Sequence, residues 1–345
     1  MKSIAAILIQ QRTPLVIDEV ELPALGYGQV LVDVKVSRIC GSQIGEIDGV
    51  KGPDKYLPHL LGHEGGGIVL EVGPEVRQVK PDDRVVMHWR PGRGIEPRPP
   101  VYSWRGQPCN AGSITTFNRY AIIAENRLTR VPVETDFEIC ALLADTLTTG
   151  FGVINNDAGV MIGESVVVIG VGGIGLGTIL GAHLAGAHPI VAVDIHEHKL
   201  AKTREFGATH TINSSQTDFV AAVEEILGGK ADVVVDGTGV PAILEKAFAL
   251  AGPQGRCVGV GVMHHERKIT LNTLPLHLGK TLTGSQGGGS RPATDIPRYL
   301  RMMQDRRFDP RAFVSHRLPL EEVNDGIARM RSGEVVHAMI HFPQD

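Results

Sequence analysis

From Met1 to about Ala144 the apolar positions come in short runs. Residues 29–36 alternate as a half-buried strand does, residues 67–72 and 83–87 are brief apolar stretches, and proline or glycine separates them. That texture predicts a small, barrel-like β domain. Beyond about Thr146 the period changes: apolar runs at 166–169, 190–193, 232–235 and 256–260 alternate with helical segments, which predicts an α/β, doubly wound parallel sheet with right-handed crossovers. In the tail, residues 296–304 and 320–332 are periodic enough for helices and 338–342 for a strand. Residues 90–112, rich in Pro, Gly and Arg, read as a long excursion from the first domain, either a functional loop or a flexible lobe.

Composition narrows the function classes. A chain of 345 residues exceeds the size at which one core keeps growing, so two domains are expected. A net charge of −4 with 21% charged residues lacks the basic excess of a nucleic-acid binder, and aromatics at 5% offer no stacking platform, so a small molecule is the expected partner. Cys40, Cys109, Cys140 and Cys257 are too few and too scattered for a disulfide framework, which fits a reducing, cytoplasmic setting. The apolar run at 4–9 is shorter than a signal-peptide core and reads as a first strand. Residues 165–187 carry no Asp, Glu, Lys or Arg and approach membrane-spanning length, but their glycines divide them into a strand and a helix, which argues against a membrane partner.

Those glycines form a G-x-G-x-x-G pattern, Gly170 and Gly172 followed by Gly173, Ile174 and Gly175, placed after an apolar strand and opening a helical run. In that context one glycine permits the tight turn, the next lets backbone amides approach a pyrophosphate, and the third lets helix pack on strand, while the helix dipole favours the anion. Asp194, nineteen residues beyond Gly175, ends the following strand. An acid there accepts hydrogen bonds from ribose hydroxyls and repels a 2′-phosphate, which favours NAD over NADP; the alternative is a cap for the next helix. Lys199 fits a cofactor contact or a solvated helix position equally.

Cys40 and His63 are unremarkable singly, since lone Cys and His residues are more often buried packing groups. Together the motifs Ile39-Cys40-Gly41-Ser42, Leu61-Gly62-His63-Glu64-Gly65, residues 83–86, residues 148–152, residues 170–175 and Asp194 resemble the medium-chain, zinc-dependent alcohol dehydrogenase family from end to end. The resemblance implies a GroES-like β-barrel catalytic domain from residues 1–146 and 287–345, and a Rossmann NAD-binding domain at 147–286. It implies one catalytic zinc (Zn2+) and NAD as cofactors, an alcohol or ketone substrate, and a homodimer or homotetramer built through Rossmann-domain edges. Cys40 and His63 take ligand positions, and Asp145 stands where many members have Cys, a set that resembles the secondary-alcohol and polyol branch; carboxylate oxygen is an acceptable zinc donor. Glu64 matches a glutamate behind the metal that is a possible fourth ligand. Ser42 matches the hydroxyl residue that takes the alcohol proton. Trp89 falls at an aromatic wall of the alcohol pocket, where His88 either bonds a polar substrate or packs.

The chain also departs from that pattern. Gln43 and Gly45 replace the usual Asp and relay His, so proton export falls to Glu46 or to ribose-linked water. His337 fills a family arginine position on the cofactor side, and a neutral contact between Gln43 and His337 is expected in place of a charged pair. Only Cys109 remains in the lobe where many members hold a structural zinc, so a single zinc is expected. Arg90, Arg93, Arg98 and Arg105 in that lobe are either solvated or receive an acidic or phosphorylated substrate. The expected activity is reversible, NAD-linked oxidation of a secondary alcohol or polyol-like carbinol. Its alternatives are a primary-alcohol or aldehyde enzyme, a zinc-free quinone or enone reductase on the same fold, and a non-catalytic NAD-binding protein.

Overall fold

The computed structural model describes residues 1–305 and 308–343. The chain divides into two compact units, Met1–Asp145 with Arg291–Asp345, and Thr146–Ser290.

The first unit contains a closed barrel of Lys2–Leu8, Val16–Glu21, Val101–Trp104, Gln107–Asn110 and His59–Leu60. Two of these strands lie inside the excursion that the sequence leaves as loop or lobe. They form a tight hairpin, with Trp104 paired to Gln107 and positive φ at Arg105 (52°) and Gly106 (77°), the backbone twist that a two-residue turn needs. Cys109 is fully buried in this hairpin, and burial pushes its thiol up to about 11, so it is a packing group. The arginines do not converge: Arg105 bonds Asp18 at 2.9 Å, while Arg93 and Arg98 are exposed, which is the solvated reading.

Beside the barrel lies a sheet in which Gln29–Arg38 is central. It pairs along one edge with Glu64–Val72 and along the other with Tyr120–Ala124 and then Ala338–His341, all antiparallel. Flanked on both sides, all ten of its residues are buried, including the pair Asp33 and Lys35 at 2.7 Å. The tail strand therefore completes the sheet next to the strand end that leads into Cys40. The helix Phe137–Ala144, N-capped by Asp136, packs on Glu64–Val72. A Cβ on Gly66 would stand 2.6 Å from the Cys140 Cβ and 2.9 Å from the Phe137 carbonyl. Only glycine lets this helix lie so close, and its closeness brings Asp145, the residue after the helix, to the strand that starts at Glu64.

In the second unit six parallel strands are ordered His210–Asn213, Ile190–Asp194, Val166–Ile169, Ala231–Asp236, Ala251–Gly259, Thr281–Gly284. This is the doubly wound order in which the chain reverses direction beside its first strand. Val167, Val191 and Val234 are fully buried in its core, worth roughly 1.5–3 kcal/mol each. Residues 165–187 form a strand and the helix Gly173–Leu184. Among the described residues no single helix is long and apolar enough to cross a membrane.

The sequence-predicted strands appear extended at their ends, as Gln29–Arg38, Glu64–Val72, Ala231–Asp236 and Ala251–Gly259, because backbone pairing continues past the apolar run. The helix expected at 320–332 is a 3-10 turn at Leu320–Glu322 followed by Val323–Arg331.

Candidate active site

Four side chains of the first unit converge: one donor atom from each of Cys40, His63, Glu64 and Asp145, all within 4.8 Å of one another. They come from three places in the fold. Cys40 is the N-cap of the short helix Gly41–Ile47, His63 immediately precedes and Glu64 opens the strand Glu64–Val72, and Asp145 caps the C-terminus of the helix Phe137–Ala144. Asp145 Oδ2 lies 3.8 Å from both Cys40 Sγ and His63 Nε2, and His63 Nε2 lies 3.7 Å from Glu64 Oε1. Ser42 Oγ sits beside the set, 3.3 Å from Cys40 Sγ and 3.4 Å from His63 Nε2. The indole Nε1 of Trp89 donates to Asp145 Oδ1 at 2.9 Å, so one carboxylate oxygen is tied and the other faces the cluster.

The charge balance of this cluster fits a cation. Burial would push His63 down, yet hydrogen bonding to Asp145 and Cys40 and the charge of Glu64 draw it well above the ordinary imidazole value. Glu64, fully buried, is pushed up by burial, against the pull of Arg38 and with the push of Asp145. A thiol, an imidazole and a carboxylate crowded in a largely buried pocket are a soft-to-borderline donor set suited to zinc.

The charged group closest to Glu64 is Arg38, which the sequence reading passes over. Its Nη1 donates to Glu64 Oε1 at 2.7 Å and its Nε to His337 Nδ1 at 2.9 Å, with 2% of its side chain exposed. Burial opposes its charge, but Glu64, Cys40 and Asp145 together raise it further. Beside Arg38, burial and the guanidinium drive His337 well below the ordinary value, so it is a neutral acceptor.

In the second unit the glycine turn has the shape a dinucleotide requires. Gly170 has φ +85°, and a Cβ on Gly175 would stand 2.2 Å from the Gly170 carbonyl, whereas around Gly172, the N-cap of the helix, the space is open. Gly173 and Ile174 form the first turn of that helix, with Gly175 next. Asp194 Oδ2 accepts from the Val171 amide at 2.9 Å and Oδ1 from the His196 amide at 3.0 Å. The acid thus serves both the glycine turn and the next helix, and each oxygen keeps a lone pair for a hydroxyl. Lys199 is half-buried in the first turn of Glu197–Glu205.

Known proteins match this arrangement. The alcohol dehydrogenase GroES-like domain family matches residues 26–133, and the zinc-binding dehydrogenase family matches residues 173–305. Alcohol dehydrogenase class-3 of Cereibacter sphaeroides is 30% identical, covering 99% of this chain and all of its own. Among solved structures, an alcohol dehydrogenase zinc-binding domain protein from Burkholderia ambifaria is 30% identical with a TM-score of 0.91, covering both chains fully. Benzyl alcohol dehydrogenase from Acinetobacter calcoaceticus is 26% identical with a TM-score of 0.89, covering 99% of this chain and all of the other. The chain belongs to the zinc-binding alcohol dehydrogenases. It is an oxidoreductase of the alcohol type, with zinc and nicotinamide dinucleotide as the cofactors of its family.

Within this dehydrogenase three expectations change. Gln43 and His337 do not bond to each other: Gln43 Oε1 accepts from the Cys40 amide at 3.1 Å, His337 Nδ1 accepts from Arg38, and Gln43 Nε2 and His337 Nε2 are each buried without a partner. The arginine of this cluster stands at the strand end, and His337, expected to face the cofactor, instead supports Arg38 and is fully buried against Phe313. His88 is also fully buried, its Nδ1 on the Arg90 carbonyl and its Nε2 on Thr129 Oγ1, both at 2.8 Å. Burial lowers it to about 4, and with both nitrogens engaged it packs and offers nothing to a substrate. Only Trp89 of that pair reaches the donor cluster. The signal for Arg38 is its place at the end of an alternating strand, two residues before Cys40, where a buried charge requires a partner.

Proposed function

We propose that this dehydrogenase oxidises a secondary alcohol or polyol-like carbinol with NAD, reversibly, at one zinc held by Cys40, His63 and Asp145. The observation that carries the reading is the convergence of thiol, imidazole and carboxylate within 4.8 Å of one another, with the carboxylate oriented by the bond from Trp89 to its Oδ1. Bound there, zinc supplies Lewis acidity toward the alcohol oxygen, and NAD supplies the hydride acceptor. Ser42 Oγ, next to Cys40 and His63, takes the carbinol proton as the alcohol ionises and releases its own hydroxyl proton outward to water. Glu64, anchored by Arg38, stands behind the donor set as a reserve ligand, and its anchoring keeps the pocket's negative charge in check. Trp89 holds Asp145 in orientation and walls the pocket. The glycine turn binds the pyrophosphate, and Asp194 takes the ribose hydroxyls, which selects NAD.

One similar protein, benzyl alcohol dehydrogenase, favours a second reading, since benzyl alcohol is a primary alcohol. Elemental analysis and a substrate panel test both. The expected result is one zinc per chain, lost in Asp145→Ala with at least a hundredfold fall in kcat/KM, and higher kcat/KM for secondary than for primary alcohols. Two zincs per chain, or full turnover in Asp145→Ala, overturns the metal assignment; preference for primary alcohols overturns the substrate class.

A further inference from the structure

Glu64 stands in two relations at once. Its Oε1 lies 3.7 Å from His63 Nε2, as close as Asp145 Oδ2 lies at 3.8 Å, and it belongs to the same group of donors within 4.8 Å of one another. Donors that share one tetrahedral zinc stand roughly 3.5 Å apart. Glu64 therefore has the spacing of a fourth ligand, in a site where alcohol chemistry needs the fourth position open. Yet the same Oε1 is the atom that Arg38 holds, with Nη1 donating to it at 2.7 Å. Guanidinium and metal compete for one oxygen.

What biases that competition comes from the tail of the chain. Arg38 Nε donates to His337 Nδ1 at 2.9 Å, so the planar guanidinium is bonded at two of its nitrogens and cannot turn away from Glu64 without giving up a bond. An Nδ1 that accepts leaves the ring proton on Nε2, and that Nε2 is buried without a partner. A buried donor left unmet destabilises the fold, whereas an apolar side chain packed against Phe313 would carry no such penalty. The histidine is thus explained by the acceptor it offers Arg38, and packing alone does not account for it. We infer that Arg38 and His337 are positioning residues that together latch Glu64 off the metal and keep the fourth position open to the alcohol. The inference rests on Cys40, His63 and Asp145 holding zinc, as proposed above. His337 directly precedes the strand Ala338–His341, which pairs with the end of Gln29–Arg38, so the tail shapes the metal site without supplying a ligand.

The test reads the open position directly, on the full chain with cobalt in place of zinc and with neither NAD nor alcohol present. Imidazole entering the fourth position shifts the visible cobalt bands, and the titration gives its Kd. His337 is neutral, so His337→Leu leaves the charge of the pocket unchanged and removes only the second anchor of Arg38. Glu64 then occupies the position for part of the time, and the Kd for imidazole is expected to rise about tenfold, the factor that follows if the open fraction falls to about a tenth. His337→Asn, whose side-chain carbonyl replaces Nδ1 as an acceptor, is expected to keep the wild-type Kd. Adding Glu64→Gln to His337→Leu should bring the Kd back, since a neutral amide competes poorly for the metal. Arg38→Lys keeps a cation beside Glu64 but loses the fixed fork, so it should repeat the rise, and it serves if His337→Leu does not fold. A Kd unmoved in both His337→Leu and Arg38→Lys, or a rise that Glu64→Gln does not reverse, overturns the latch and leaves the metal assignment standing. Cobalt bound as tightly by Asp145→Ala as by wild type overturns the metal assignment, and the latch with it.

Discussion

Arg38→Met is the perturbation that bears most directly on how the site is held. The side chain is 2% exposed and makes two hydrogen bonds, one charge-assisted to Glu64 at 2.7 Å and one to His337 at 2.9 Å. Methionine of similar length keeps most of the volume but leaves Glu64, fully buried, without its closest counter-charge and without a hydrogen bond to a guanidinium. Removing one partner of a buried pair costs about 3–5 kcal/mol, because the remaining charge stays desolvated. In a unit of about 200 residues this amounts to a fall in melting temperature of roughly ten degrees. Both tryptophans of the chain, Trp89 and Trp104, lie in that unit, so tryptophan fluorescence follows its unfolding. Zinc-stripped protein is the right sample, since bound metal would add its own linkage. Adding Glu64→Gln to Arg38→Met removes the stranded charge and is expected to restore at least half of the loss. Melting within two degrees of wild type for Arg38→Met, or a double variant no more stable than the single one, refutes the reasoning that the pair holds the site through charge.

Two further outcomes are expected. His88 reads about 4 folded against about 6.5 unfolded, so between those values the unfolded chain binds more protons and the folded state loses stability as pH falls, with the full contribution present above 6.5. The gap is worth about 3 kcal/mol at pH 4; in urea titrations the stability difference between wild type and His88→Phe should narrow by that amount from pH 7.5 to pH 4, and a constant difference contradicts it. Asp194→Gly should raise KM for NAD at least tenfold while NADP becomes a usable cofactor, because the acid that meets the ribose hydroxyls and repels a 2′-phosphate is gone; unchanged cofactor preference would show that Asp194 only caps the following helix.

The sequence reveals most where a local pattern carries its own geometry. The glycine turn and Asp194 are tied by strand and helix periods, and the β-then-α alternation leaves few topologies. Cys40, His63 and Asp145 are legible through family motifs, but what turns them toward one another is non-local, the approach of the helix Phe137–Ala144 to Gly66. Arg38 is hidden for a similar reason: its partners Glu64 and His337 are 26 and 299 positions away, and no periodicity announces such a contact. The hairpin Val101–Asn110 escapes because its strands are four residues long and sit among prolines and glycines, where the strand signal is weakest and only pairing with Val16–Glu21 and His59–Leu60 defines them. His88 is the last residue of the strand Arg84–His88 and is fully buried, whereas Trp89, just past the strand end, reaches Asp145, and no periodicity marks that boundary.

The bond from Trp89 to Asp145 links two positions into one chemical choice. Exchanging Asp145 for cysteine, to place a thiolate there, would strip the indole N–H of its acceptor and leave a half-buried donor facing sulfur. An aromatic residue without a donor, such as phenylalanine, would then be the better neighbour. Carboxylate with tryptophan and thiolate with phenylalanine are thus two self-consistent pairs, while the mixed pairs each carry a mismatch. Whoever re-engineers this site toward a different metal affinity must move both residues in one step.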